Sequence, residues 1–238
     1  MKSLFAVILT SLLFLGCASK SIDKNKMVTM DNIGVVAIFD DQLPVRYIGT
    51  TILNNQDFSA DISKWSIGQT LVKDVRSEFE RMNKKTFSVK LDDKKVQEAK
   101  NQAQSLKDFY LGNRYQELQQ YILTQAEQQG AQFVFIMHPM SHENFPQYKP
   151  GFGLLCRSPF TAQGDLEIYS LIKAEIWNVK TKTVETSAII TPAEALIKTG
   201  KNCQDSQQIA PDKLTGMYKE QVMGIVKRSV DILLSRTL

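Results

Sequence analysis

Apolar positions along this chain follow two different periods, and the switch between them outlines the fold. Ile33 to Phe39 is a continuous apolar run that ends at Asp40-Asp41, the pattern of a strand buried on both faces. Arg46 to Leu53 (RYIGTTIL) is rich in β-branched and aromatic residues and stops at Asn54-Asn55, so it predicts a second strand. The short connection Asp40-Asp41-Gln42-Leu43-Pro44 is turn-like and predicts an antiparallel hairpin between the two. The period then changes. Ile67, Leu71, Val75, Phe79 and Met82 recur at helical spacing and predict a helix over about 65–84, capped by Asp61 or Ser63.

Thr86 to Leu91 alternates apolar and polar positions, as a half-buried strand does. Residues 94–129 are rich in Lys, Gln, Glu and Ala and predict one long helix or two. Leu106, Phe109, Tyr110, Leu118, Tyr121, Ile122 and Leu123 are its expected buried positions, Gly112-Asn113 its expected break and Gly130 its cap. Ala131 to His138 returns to an apolar strand pattern and closes an expected β-α-β crossover, which favours parallel neighbours. Ser141 to Pro150 reads as a loop, followed by strands at Gly151–Arg157, Leu166–Lys180 and Thr183–Thr191. Lys180-Thr181-Lys182 is the tight polar turn of a hairpin between the last two. Tyr169 and Trp177 are an even number of residues apart on one strand and so share a face. Gly200 to Asp212 is polar loop, and Pro211 opens a final amphipathic helix carrying Leu214, Met217, Tyr218, Val222, Ile225, Val226, Leu233 and Leu234. The sum is an α/β class fold, with α+β as its alternative. It is a single domain over 32–238, with a mixed sheet, amphipathic helices mainly on one face and a C-terminal helix.

The first residues belong to a different pattern. Lys2 is followed by a run of 12 mostly apolar residues from Leu4 to Leu15, then Gly16, Cys17 and Ala18. A cationic start, a short apolar run and small residues at its end describe an export signal over residues 1–16. At about 1.5 Å per residue the run reaches about 18 Å, short of the ~30 Å hydrocarbon core. Phe14-Leu15-Gly16-Cys17 resembles a lipobox, the motif at which lipoprotein signal peptidase cuts before a diacylated cysteine, although Phe14 stands where Leu is usual. The resemblance implies a lipid on Cys17, followed through residue 31 by a polar tether. Ala18 stands where inner-membrane retention uses Asp, which implies the outer membrane, facing the periplasm. Gly16 and Ala18 also fit an ordinary cut after Ala18, which would leave a soluble periplasmic protein. No second apolar run of spanning length follows, so the lipid is the expected membrane partner.

Export changes what the cysteines mean. Apart from Cys17, only Cys156 and Cys203 remain, in a compartment where disulfides persist, so they are the expected bridge; a reactive thiol at Cys156 is the alternative. Cleavage before Cys17 removes Lys2, one of 29 Lys+Arg that stand against 25 Asp+Glu, and the formal charge falls from +4 to +3. That balance is too weak and dispersed to argue for nucleic acid or an anionic membrane surface as a partner.

Catalytic signatures are sparse. His138 and His142 are the only histidines, in an H-x-x-x-H spacing that Pro139 keeps off a helix, so no metal site is assigned. Gly151-Phe152-Gly153 starts like a dinucleotide loop, but Cys156 occupies the third glycine position. Ser21-Ile22-Asp23-Lys24 and Ser170-Leu171-Ile172-Lys173 both fit S-x-x-K, one in the tether and one in a strand, with no K-T-G companion. Asp40-Asp41 and Asp92-Asp93 read as solvated turns. No catalytic residue and no cofactor are assigned. The loop after the crossover is more informative: His142, Phe145, Tyr148 and Phe152 gather there among polar residues as a possible binding loop.

The element order resembles the small α/β domains of several envelope lipoproteins and of the N-terminal domain of the periplasmic protein TolB. Arg46-Tyr47-Ile48-Gly49-Thr50-Thr51 with Asn54-Asn55 and Trp65 is similar to segments of uncharacterised proteobacterial exported proteins. The resemblance covers the first half of the chain and carries over no residue roles. The expected function is a lipid-anchored, non-enzymatic envelope protein that acts through protein–protein contact. The alternatives are a binding module for a glycan, peptidoglycan or small ligand, and a periplasmic hydrolase built on His138 or His142.

Overall fold

Ile33–Ala37, the start of the first apolar run, forms β1, and every residue from Ile33 to Val36 is buried. The computed structural model describes residues 28–49, 55–101, 113–157, 164–203, 206 and 209–238. The signal run, Cys17, the tether through Met27, the expected strand end at 50–54, and Leu106, Phe109, Tyr110 and Gly112 lie outside the described residues. The remaining strands are β2 (Gln42–Ile48), β3 (Gln56–Asp61), β4 (Thr86–Ser88), β5 (Phe133–Pro139), β6 (Gly151–Arg157), β7 (Asp165–Asn178), β8 (Thr183–Ile190) and β9 (Leu196–Asn202). The helices are α1 (Ile67–Arg81), α2 (Asp93–Asn101), α3 (Asn113–Gln128), α4 (Pro211–Met217) and α5 (Lys219–Thr237). Together they make a mixed α/β body around one nine-stranded sheet.

The sheet has two halves joined by the 14-residue β7. The second half of β7 pairs antiparallel with β5 and β8, and β1 continues that half, parallel to both β5 and β4. The first half of β7 pairs antiparallel with β6 and β9, and β2 continues that half, parallel to β6 and antiparallel to β3. The expected β1–β2 hairpin does not form. Both edges of β1 are filled by parallel partners, so β2 has no edge of β1 to join. Its inward Leu43, Val45 and Tyr47 seat it instead in the other half of the sheet. Pro44 therefore lies inside a strand rather than a turn, one residue before the pairing with β6 begins. The crossover from β4 to β5 does give parallel strands, with β1 inserted between them.

Helix α1 buries four of the five expected stripe residues, Ile67, Leu71, Val75 and Phe79, whereas Met82 falls just past its end and is exposed; the Phe79 ring meets Phe135 of β5 edge-on at 5.8 Å. It shares one face of the sheet with α4 and α5, whose Leu214, Val222, Ile225, Val226, Val230 and Leu233 complete that core. The other face is covered differently in the two halves. Over β5 and β1 lie α2 and α3, through Val96, Leu118, Ile122, Leu123 and Ala126. Over β6 and the first half of β7 no helix packs among the described residues. That surface is covered by the 140–150 segment, through Phe145 and Tyr148 against Leu155, Tyr169 and Leu171. Among the described residues no helix is long and apolar enough to cross a membrane.

The sulfurs of Cys156 and Cys203 lie 1.99 Å apart, at disulfide distance, as the cysteine count predicts. Cys156 is in β6 and Cys203 follows β9, so the pair ties together the two strands that flank the start of β7. It crosses above Gly164, where a Cβ would collide with the Arg157 carbonyl oxygen, so only glycine fits.

Candidate functional site

The 140–150 segment is built from two successive tight turns. Phe145 N donates to the His142 carbonyl at 3.0 Å and Tyr148 N to the Phe145 carbonyl at 3.1 Å. A step of three residues per turn brings the three rings into a row. His142 meets Phe145 at 5.4 Å, Phe145 meets Tyr148 at 6.1 Å, and Tyr148 meets Tyr169 of β7 at 4.7 Å, each at a steep interplanar angle. Such edge-to-face contacts use the positive ring edge against the negative ring face. Tyr169 is fully buried, and its ring lies where a Cβ on Gly153 would be, so β6 needs glycine there. Its hydroxyl accepts the Lys149 N–H at 3.1 Å and so pins the segment to the sheet.

Charged groups fix the same segment from below. Tyr148 Oη donates to Glu167 Oε2 at 2.9 Å, and Arg157 Nη2 meets the same oxygen at 3.3 Å while its guanidinium lies 5.9 Å from the Tyr148 ring centre. Burial, with the Glu167 carboxylate adding to it, pushes the Tyr148 phenol up to about 12, so it stays a donor at neutral pH. Arg46 of β2 donates to the Gln147 carbonyl at 3.2 Å and pairs with Asp57 of β3 at 3.3 Å. Lys149 Nζ reaches the other Asp57 oxygen at 3.0 Å.

A concavity of about 650 Å³ opens beside this scaffold, lined by Arg46, His142, Glu143, Phe145, Tyr148 and Lys149 among others. It offers a half-buried Phe145, two cations that share one carboxylate, and an exposed Glu143. Three of the four expected loop residues, His142, Phe145 and Tyr148, are thus brought together. Phe152 is not. Side chains alternate along β6, and Phe152 points to the helical face, where it is buried and stacks on Phe39 at 5.4 Å. Arg46, Asp57, Arg157 and Glu167 carry no periodic signal, because strand pairing rather than local sequence brings them to their partners.

The two histidines have separate surroundings. His142 stays on the loop, whereas His138 is 3% exposed beneath α3, its ring centre 4.4 Å from that of Tyr115. His138 Nε2 lies 4.0 Å from Glu175 Oε2, longer than a hydrogen bond, and Nδ1 lies 2.7 Å from the Pro139 carbonyl. Among the described residues no group of three or more metal-ligating side chains gathers. Ser170 and Lys173 are an odd number of residues apart on β7, so they take opposite faces and do not form an S-x-x-K site. Gly151 has φ +93° and opens a strand, not a phosphate-binding helix.

Burial holds His138 down at about 4, against the opposing pull of Glu175. In the unfolded chain the ring takes up a proton near pH 6.5, but the folded protein resists until about pH 4. Proton uptake therefore favours the unfolded chain across that window. Stability is expected to fall by up to about 3 kcal/mol from this group as pH drops from 6.5 to 4. Urea midpoints at the two ends of the window, for wild type and His138→Gln, check this. Equal acid losses in both proteins would remove His138 as the cause.

A second concavity, about 670 Å³, lies at the carboxyl ends of β1 and β4. The helix that leads from β3 to β4 packs on one face and the helices after β4 on the other, which makes this a switch point where open α/β sheets commonly bind ligands. Asp40, Asp41 and Asp93 edge it opposite Lys73 and Arg76, and Arg76 is already engaged by Glu80 at 3.2 Å. The Asp40-Asp41 pair, expected as a solvated turn, is one wall of this crevice. Compared with known proteins, the chain matches no protein-family model and no curated sequence.

Proposed function

We propose that this protein is a lipid-anchored binding protein of the cell envelope rather than an enzyme. In this proposal it is exported, held at the outer membrane through Cys17, and faces the periplasm. Its ligand seats in the concavity beside the 140–150 loop. The observation that supports the reading is the row His142–Phe145–Tyr148, held on the half of a sheet face that no described helix covers and flanked by Arg46 and Lys149. A half-buried ring beside cations and a carboxylate suits a small polar ligand with one apolar face, which a sugar unit or peptidoglycan fragment has. A second reading, contact with a protein partner, draws on β3, a polar edge strand whose Phe58 is 40% exposed.

One two-part experiment tests this. Cells fed a labelled fatty acid should mark the wild-type protein and not Cys17→Ala; a signal in neither sinks the anchor. The purified domain should bind soluble muropeptides, and Phe145→Ala should weaken that binding by at least ~10-fold, as loss of an aromatic anchor does. Muropeptide binding unchanged by Phe145→Ala removes the loop site. If muropeptides do not bind, and a protein captured from cross-linked envelopes depends on Phe58 instead, the second reading replaces the first.

A further inference from the structure

A buried carboxylate elsewhere in the sheet orients a different aromatic. Glu175 of β7 is 5% exposed, and three donors converge on it. Gln119 Nε2 of α3 and Trp177 Nε1 both reach Oε2 at 3.1 Å, and Lys173 closes an ion pair on Oε1. Burying an ion is costly unless its oxygens are fully satisfied, and here they are. The consequence lies at the surface. The half-buried indole is held by its N–H, and Gln119 is fixed by its amide nitrogen, which leaves its carbonyl oxygen as acceptor. Both groups line an open concavity of about 510 Å³ between α3 and the β7–β8 turn. The rim is Gln116, Glu117 and Gln120 from α3 and Lys182 from the turn. Gln116, Gln120 and Lys182 are exposed.

We infer that this concavity is a glycan-binding platform, with the Trp177 indole stacking on a pyranose face and the α3 carboxamides bonding its substituents. Equatorially substituted, β-linked sugars present a flat array of C–H groups to an aromatic ring. Their acetamido groups carry one donor and one acceptor, the complement of a glutamine carboxamide. The ligand class is therefore a β-linked N-acetylated glycan. The inference does not depend on the loop site, which shares this sheet face but uses no residue of the platform.

The chain has two tryptophans, Trp65 and Trp177, so Trp65→Phe leaves Trp177 as sole indole reporter. The full domain carrying Trp65→Phe is titrated with N-acetylglucosamine tetramer up to the millimolar range. A saturable change in Trp177 emission is expected. Gln116→Ala with Gln120→Ala, both at exposed positions, should weaken it by at least ~10-fold, and Trp177→Ala in a Phe145→Ala background, followed by calorimetry, should abolish binding. Phe145→Ala should leave this titration unchanged, which separates the platform from the loop site. No emission change, or a change indifferent to the two glutamine substitutions, overturns the assignment. If Trp177→Ala does not fold, the glutamine pair alone decides.

Discussion

Replacing Cys156 and Cys203 together by alanine is expected to lower the unfolding free energy by about 4 kcal/mol. The two cysteines are 47 residues apart in sequence, and their Cα atoms are 5.4 Å apart in the fold. A bond across that separation removes chain entropy from the unfolded ensemble, and the loop-length relation gives about 4 kcal/mol for a loop of this size. Local packing adds to the effect. Both side chains are buried, and Cys203 N donates to the Gly164 carbonyl at 2.9 Å, so the pair clamps β6 and β9 to the start of β7. Arg157 follows Cys156 in sequence and Glu167 follows Leu166, the β7 partner of Cys156, so loss of the clamp should also loosen Tyr148 and the loop concavity. Urea unfolding of the oxidised wild type and the double variant measures the effect. A difference below about 1 kcal/mol, the size of an ordinary substitution, would mean that the bridge does not constrain the unfolded chain.

How far the fold was legible depended on whether its signal was local. The β7–β8 hairpin was readable because the turn Lys180-Thr181-Lys182 is itself the cause, and Lys182 takes the positive φ, +54°, that such a turn uses. Helix α1 was readable because its buried stripe is a property of one segment. The even spacing of Tyr169 and Trp177 placed them on one face, where one meets the 140–150 segment and the other α3. Strands β3 and β9 leave no strand signal because both are edges of the sheet and carry polar, exposed sequence, QDFSAD and LIKTGKN, that resembles loop. The β1–β2 pairing failed for a global reason: the edge of β1 was already occupied by β4 and β5, which arrive much later in the chain. The loop aromatics are visible in the sequence as a cluster, but Phe152 lies in β6, whose alternation turns it to the opposite face. The tie from Glu175 to α3 gives no sequence signal, since Gln119 is 56 residues away, although Lys173 and Trp177 stand two residues either side of it on β7.

Glu175 carries the other large effect. Glu175→Ala is expected to cost about 3–5 kcal/mol, because it removes the acceptor and leaves its donors behind. Gln119 Nε2 and Trp177 Nε1 would lose a common oxygen at 3.1 Å, and neither finds a substitute in a methyl group. Lys173 would lose its counter-ion, but with 30% of its side chain exposed it can turn toward water, so it contributes the smaller share. Glu175→Gln separates the contributions. It keeps a carbonyl oxygen for the two neutral donors and loses the charge and the acceptor that faces Lys173, so its cost should be clearly smaller than that of alanine. Trp177 emission should shift in both variants, more in alanine, because the indole N–H loses its partner there. Chemical unfolding of the three proteins, with Trp65→Phe in each background, reads stability and indole environment together. If alanine and glutamine cost the same, the ion pair with Lys173 rather than the shared hydrogen bonds dominates. If neither costs more than about 1 kcal/mol, the site is wet enough to replace a carboxylate by water, and the rigid indole that the glycan platform needs is not there.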